Sequence, residues 1–286
     1  MSDSSPSTST SGAASGAVLL PGTMLAFRYR LVGRIRSGAV VELHAATDER
    51  SGSGVWLKLV RPARAGALGP AAAMRLAAEA ESLRQIEHPG VPRILADGWD
   101  EPTGARFVVI EPAEGEGLDA RLSRDGRLDD ADAVRILEAL CGTLETIHGE
   151  RLVHLNLSPS AVFLPSGADA YPVLLLDLWL RRVGDRVDPP GPLDAETEYW
   201  APEMARGGVA DERADIYALG ALMRRMLRDP DGQGTGRNAD RSASALRALV
   251  SRCMSANPTD RPAHTRDVGE ALRSIRAAAA PAGSTT

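Results

Sequence analysis

The chain has 286 residues, of which 43% are hydrophobic and 25% are charged, and its formal net charge is -5. This length and apolar content suit one large core or two unequal lobes, and the acidic balance argues against nucleic acid as a partner. No run of about 18 apolar residues occurs in the sequence, so we expect a cytoplasmic protein with no membrane partner.

In chain order, residues 1–22 are rich in Ser, Thr, Gly and Ala, which predicts a disordered tail. Short alternating apolar runs from Tyr29 to Val60 predict three antiparallel strands, with breaks at Gly38 and at DERSGSG. The apolar spacing of AAAMRLAAEAESLRQIE predicts an amphipathic helix, and RILADGW and RFVVIE predict two more strands. The first part of the chain is therefore expected to form a five-stranded sheet with one helix.

The rest of the chain is predicted to be mainly helical. Helical periodicity covers DADAVRILEALCGTLETIH, DERADIYALGALMRRML, SASALRALVSRCM and TRDVGEALRSIRA, and two short strands are predicted at AVFL and VLLL. The sequence PPGP excludes a helix around residues 189–192, and residues 278–286 predict a second flexible tail. Cys141 and Cys253 lie in helical patterns, which favours buried, reduced thiols over a disulfide or a metal site.

This order of elements resembles the protein kinase fold, and six short motifs agree with it along residues 29 to 277. VWLK resembles the third-strand lysine motif, with Lys58 as the lysine and Glu79 as its helical partner. HLN resembles the HRD triplet, DLW resembles DFG, and APE occurs unchanged. The resemblance is to bacterial Ser/Thr kinases. It implies an α+β bilobal fold, with a β-rich lobe over residues 23–111 and a helical lobe over residues 112–277.

Two further motifs imply contacts that hold the helical lobe together. DERADIYALG resembles the helix whose aspartate, here Asp215, braces the catalytic loop of kinases. DRP places Arg261 where kinases have the partner of the APE glutamate, here Glu203.

Three positions of the loop HLNLSPSA lack the groups that the resemblance assigns to phosphoryl transfer. The catalytic aspartate is replaced by Asn156, which is no base near neutral pH, and the loop lysine by Ser158, which carries no charge. Ala161 replaces the metal-binding asparagine and has no ligand atom, so Asp177 of DLW remains as the metal candidate. One such group commonly contributes about 3 to 4 kcal/mol to lowering the barrier, so conventional turnover is expected to be negligible.

The nucleotide site is predicted to be altered too. The matched glycine-rich loop keeps Gly38, but Arg36 and Val41 take the other two glycine places. Trp56, which replaces a small alanine, is predicted to fill the adenine pocket together with Phe163; the alternative is an indole that turns outward and leaves the pocket open.

The chain has 33 basic residues, of which one is lysine, and that lysine is Lys58. Two interpretations stay open: a phosphate contact assisted by Asp177 and a metal, or a buried ion pair with Glu79. No activation-segment switch is expected, because Leu155 replaces the HRD arginine and Thr197 is the one Ser/Thr acceptor between Asp177 and Glu203.

These observations predict a pseudokinase that acts as a scaffold or allosteric regulator, without a cofactor, for a protein partner such as an active kinase or a signalling adaptor. The alternative is an atypical, weakly active ATP-dependent Ser/Thr kinase or another nucleotidyl- or phosphotransferase. It would use Lys58, Glu79 and Asp177 with ATP and Mg²⁺.

Overall fold

The computed structural model describes residues 19–37, 41–60, 69–176, 181–187, 196–209, 211–227 and 239–279. The described residues divide into two compact units. The first contains the residues up to Ala77 together with Ala96–Val109, and the second contains Ala78–Leu95 and the residues from Ile110 onward. A β-rich first unit and a helical second unit confirm the α+β class.

The first unit is built on a six-stranded sheet with the strand order β1-β2-β3-β4-β6-β5. Its strands are β1 (Met24–Leu25), β2 (Tyr29–Ser37), β3 (Val41–Asp48), β4 (Gly54–Val60), β5 (Ile94–Asp100) and β6 (Ala105–Ile110). β2, β3 and β4 are antiparallel neighbours, as predicted. The short β1, which pairs with β2, was missed because two residues give no alternating pattern.

Period-two alternation creates the core of this sheet. Val55, Leu57 and Leu59 of β4 lie on one face and pack with Tyr29 of β2, whose ring meets Phe107 of β6 edge to face at 5.7 Å. The turn after β3 is closed by the last residue of that strand, since Asp48 accepts a hydrogen bond from the backbone N–H of Arg50. Helix α1 (Gly69–Leu83) ends four residues before the predicted boundary.

The second unit is organised around one long buried helix. Its helices are α2 (Leu118–Asp125), α3 (Asp130–Gly149), α4 (Pro202–Ala205), α5 (Glu212–Met226), α6 (Ala239–Cys253) and α7 (Thr265–Ala279). Leu137, Leu140 and Leu144 of α3 are fully buried, and α3 packs against α5 and α7. Of the described residues, none belongs to a helix long and apolar enough to cross a membrane.

Two small sheets carry the loops of this unit. β7 (Gly115–Gly117), β9 (Val162–Pro165) and β10 (Leu174–Leu175) form one, in the order β10-β9-β7. β8 (Leu152–Val153) and β11 (Arg181–Arg182) form the other. β9 and β10 confirm the strands predicted at AVFL and VLLL, whereas α2 and β7 were not predicted. The PPGP segment and the two predicted tails lie mostly or wholly outside the described residues.

Candidate functional site

The loop that resembles a catalytic loop runs from β8 to β9 in the second unit. It begins at His154, passes through a 3₁₀ turn at Pro159–Ala161 and enters β9 at Val162. Leu155 has a φ of 59°, in the left-handed region that is uncommon for a residue with a side chain. A strained residue here requires contacts that hold it in place.

Asp215 of α5 supplies those contacts. Its Oδ2 accepts a hydrogen bond from the backbone N–H of His154 and its Oδ1 accepts one from the backbone N–H of Leu155, both at 2.8 Å. The Asp215 side chain is fully buried, so these bonds act in a low-dielectric interior. The loop continues with the N–H of Asn156 donating to Nδ1 of His154 at 3.2 Å. The prediction that Asp215 braces the loop is confirmed.

A third bond links Asp215 to the end of α3. Nε2 of His148 lies 2.8 Å from Oδ2 of Asp215. Burial alone would raise the pKa of Asp215, but the hydrogen bond with His148, the electrostatic interactions with His148 and His154 and the backbone N–H of His154 together lower it. The carboxylate is therefore held in its charged form.

The His148 ring also faces α5 on its other side. Its Nδ1 is buried, has no hydrogen-bond partner among the described residues and lies 3.7 Å from Oε2 of Glu212. The same Glu212 oxygen lies 3.2 Å from Nδ1 of the half-exposed His264. A chain of charged and titratable side chains thus runs from the surface to the brace of the loop.

The position matched to the loop lysine is closed by a hydrogen-bonded chain. Ser158 is buried, and its Oγ lies 3.1 Å from Oγ of Ser160. The Ser160 hydroxyl donates to Oε2 of Glu196 at 2.6 Å, a short charge-assisted bond. A carboxylate from the segment before α4 is therefore joined to the loop through two hydroxyl groups.

The other two altered loop positions offer little to phosphoryl transfer. Ala161 is fully buried in the 3₁₀ turn. Asn156 is half-buried, and its side chain ends in an uncharged carboxamide. Neither side chain supplies a base or an anionic metal ligand. Across the described part of the chain, no group of three or more His, Cys, Asp or Glu residues is placed to hold a metal ion.

The predicted ion pair of Glu203 and Arg261 is confirmed, and it is bidentate. The Arg261 Nη1 and Nη2 groups donate to the two Glu203 carboxylate oxygens at 2.6 and 2.7 Å. The guanidinium also donates to the carbonyl oxygens of Ser255 and Arg213 and lies over the ring of Tyr217. This pair fixes α4 to the segment before α7.

The two cysteines have no role in such chemistry. Cys141 and Cys253 are buried free thiols, as expected from their helical patterns. Burial raises the pKa of both, that of Cys253 to about 12, so neither is a thiolate at neutral pH.

The nucleotide-site residues predicted from the sequence fall in both units. Trp56 and Lys58 are buried on the same face of β4, opposite the core face. Phe163 is buried on β9 of the second unit, and Glu79 lies on α1. The filled adenine pocket and the Lys58–Glu79 pair stay predictions. Gly38 and the metal candidate Asp177 lie outside the described residues.

Sequence reasoning missed Ser160, Glu196, His148 and Glu212. Glu196 and Ser160 are separated by 36 positions, and no short motif joins them. His148 carried a signal, because it ends the apolar pattern of α3 as a buried polar residue, but its partner Asp215 is 67 positions away. Contacts of this kind depend on the fold.

A family model for the protein kinase domain matches residues 29–272. The chain is 26% identical over 282 residues to the serine/threonine-protein kinase pkn3 of Myxococcus xanthus, covering 89% of this chain and 51% of that protein. It is 30% identical over 207 residues to the serine/threonine-protein kinase PknA of Mycobacterium tuberculosis, covering 70% and 47%. The chain thus spans about half the length of these relatives.

Among solved structures, the Mycobacterium tuberculosis PknI kinase domain matches with a TM-score of 0.68 and 22% identity. The match covers 90% of this chain and all of that domain. At this identity the likeness concerns the fold, which is that of the kinase domain.

Proposed function

Because this chain belongs to the protein kinase family, we propose that it is a pseudokinase that acts as a scaffold or allosteric regulator of a signalling partner. The observation that carries the proposal is the chain of hydrogen bonds from Ser158 through Ser160 to Glu196. In the position matched to the loop lysine, a hydroxyl is tied to a carboxylate. A transferring phosphoryl group would meet a negative charge there in place of a positive one.

The described part of the loop does not fit ATP with its metal ions. Ala161 has no ligand atom, Asn156 presents an uncharged amide, and the Ser158 hydroxyl is buried against Ser160. We therefore derive no transfer step through these residues. What the loop retains is its shape, which Asp215 fixes through the backbone and which a protein partner can recognise.

A weakly active Ser/Thr kinase is the competing function. Two facts favour it: the relatives are named Ser/Thr protein kinases, and Lys58 is retained in the position that contacts phosphates in kinases. ATP and Mg²⁺ would then be the cofactors, with Asp177 as a metal ligand.

Thermal melting of the full chain separates the two. We expect no change in Tm with millimolar ATP, with or without Mg²⁺ or Mn²⁺, and no transfer of labelled γ-phosphate to casein or to the chain itself. Adenosine is the control for binding that needs no phosphate contact. A metal-dependent rise in Tm that Asp177→Ala abolishes, together with label transfer, would instead establish the kinase.

Reconstruction tests the role of Glu196. In a chain carrying Asn156→Asp, Ser158→Lys and Ala161→Asn, we expect Mg²⁺-ATP to raise the Tm more when Glu196→Gln is also present, because the repelling charge is gone. Thr197→Ala, next to Glu196 but exposed, is the matched control. Equal shifts with and without Glu196→Gln would remove the electrostatic basis of the proposal.

The regulatory role needs a partner assay. Crosslinking in the native bacterium, followed by purification of the captured protein, provides the candidate. If the candidate is a kinase, its phosphorylation rate should change on addition of the purified chain. An unchanged rate and no stable complex would contradict regulation of that partner.

A further inference from the structure

An open cavity of about 350 Å³ lies in the second unit, and none of the residues that line it belongs to residues 154–161 of the loop. Its wall is formed by β7, by one arginine each from α2 and α3, and by the connection between β9 and β10. The polar lining consists of Glu116, Arg121, Arg135 and Ser166, and the apolar lining includes Leu164, Pro165 and Pro172. A cavity of this size is in the range that takes small ligands.

Gly115 lines the cavity at the point where β7 pairs closely with β9. Its φ is +146°, and a Cβ built on it would overlap the carbonyl oxygen of Leu164 on the neighbouring strand. No side chain can therefore occupy this place without moving β7 away from β9.

The two arginines have hydrogen-bonding capacity that the protein does not use. Arg121 Nη2 donates to Oδ2 of Asp132 at 2.9 Å, but its buried Nε has no hydrogen-bond partner among the described residues and lies 3.7 Å from Asp125. Arg135 comes no closer than 3.6 Å to the other oxygen of Asp132. One carboxylate is thus shared by two guanidinium groups, and an unsatisfied buried N–H is costly.

The remaining charges around the cavity are paired with one another. Arg124, outside the lining, donates to both carboxylate oxygens of Glu116 and of Asp125. The charges of three arginines and three carboxylates therefore cancel. These groups are Arg121, Arg124, Arg135, Glu116, Asp125 and Asp132. Selectivity for an anion would come from directed N–H donors, since the net charge of the six groups is zero.

We propose that this cavity binds a small organic carboxylate. The carboxylate lies between Arg121 and Arg135, where it accepts hydrogen bonds from their guanidinium groups, and the apolar part of the ligand packs against Leu164, Pro165 and Pro172. None of the residues that line the site belongs to the altered loop, and the proposal does not depend on whether the chain is a pseudokinase.

Ligand-observed fluorine NMR with 4-fluorophenylacetate tests the site on the full chain. We expect saturable binding with a Kd of about 1 mM or tighter, as an eleven-heavy-atom ligand allows. The neutral isostere 4-fluorophenylacetamide should bind at least about tenfold more weakly, and so should the acid with an Arg121→Gln, Arg135→Gln double variant. Arg252→Gln, an exposed arginine on α6 outside the lining, is the matched control and should change Kd less than about twofold.

Loss of binding in the double variant could also come from misfolding, so a variant that is expected to bind more tightly is tested as well. Asp132→Asn removes the carboxylate that both guanidinium groups share, so the probe should bind more tightly, by about threefold or more. Equal binding of acid and amide, or a Kd that neither the double variant nor Asp132→Asn changes, would overturn the proposal. Binding of the peptide N-acetyl-Glu-Leu-amide without binding of the free acid would also overturn it, in favour of a protein partner.

Discussion

Asp215 is the residue on which the shape of the loop depends. Its two carboxylate oxygens hold His148 and the backbone of two consecutive loop residues, one of them in the left-handed region. All of these partners are buried or half-buried, so water cannot replace the bonds at low cost.

Replacement of Asp215 by Asn should therefore destabilise the protein by about 2 to 4 kcal/mol. The amide has one acceptor oxygen where the carboxylate has two, and it carries no negative charge. The pKa of Asp215 is lowered on folding, so its contribution is fully present above about pH 4, the unfolded value, and is lost as the pH falls through the folded value. Urea unfolding at several pH values measures both effects.

The matched control is Asp211→Asn at the N-cap of α5. Asp211 accepts a hydrogen bond from the backbone N–H of Arg213, and Asn caps equally well, so the change should stay within about 0.5 kcal/mol. Equal losses for the two variants would show that the buried carboxylate has no special role.

At the scale of the residue, the functional residues that could be predicted from the sequence are those that belong to motifs. Asp215 and the Glu203–Arg261 pair were predicted with their roles because a motif fixes both the residue and its partner. Ser160 and Glu196 were not, because a hydroxyl and a carboxylate are common and their meeting depends on how the chain returns to the loop. The nucleotide-site predictions for Trp56, Lys58 and Phe163 await the melting experiment.

At the scale of the element, long periodic segments were predicted well and short ones were missed. Helix α3 was predicted over residues 130–148 and runs over Asp130–Gly149. Helix α2 has eight residues, and β7 has three, two of which are glycine; neither is long enough to give a clear period. Both missed elements line the proposed carboxylate site.

β7 should be sensitive to a single methyl group. Gly115→Ala should destabilise the protein by about 3 kcal/mol or more, because it adds a Cβ at a positive φ and against the backbone of β9. Gly126→Ala shares the positive φ, but a Cβ there meets nothing within 4 Å, so it should cost only about 1 to 2 kcal/mol. Denaturant unfolding of the two variants separates the cost of a positive φ, which both variants share, from the cost of the overlap with β9, which only Gly115→Ala has. Equal losses of unfolding free energy would mean that β7 can move away from β9.

At the scale of the whole molecule, the two units have cores of different size. The second unit buries apolar side chains from α3, α5, α6 and α7 in one continuous cluster. Among the described residues, the cluster that packs on the sheet of the first unit is much smaller. Local stability generally follows buried apolar area, so the two units should not open with the same free energy.

Hydrogen exchange followed by mass spectrometry should show this difference. Backbone amides of α3 and α5 should exchange slowest, at the rate of global unfolding, and those of β2 to β4 should exchange at least about tenfold faster. Exchange of β2 to β4 as slow as that of α3 would mean that the molecule unfolds as one cooperative body.

The brace at Asp215 has an evolutionary consequence. Within the described part of the chain, its hydrogen bonds end on main-chain nitrogen or on His148, and none ends on the side chains at positions 156, 158 or 161. Substitutions at those three positions therefore leave the bonds of the brace in place. The path of the main chain through this loop can be inherited separately from the side chains that stand on it.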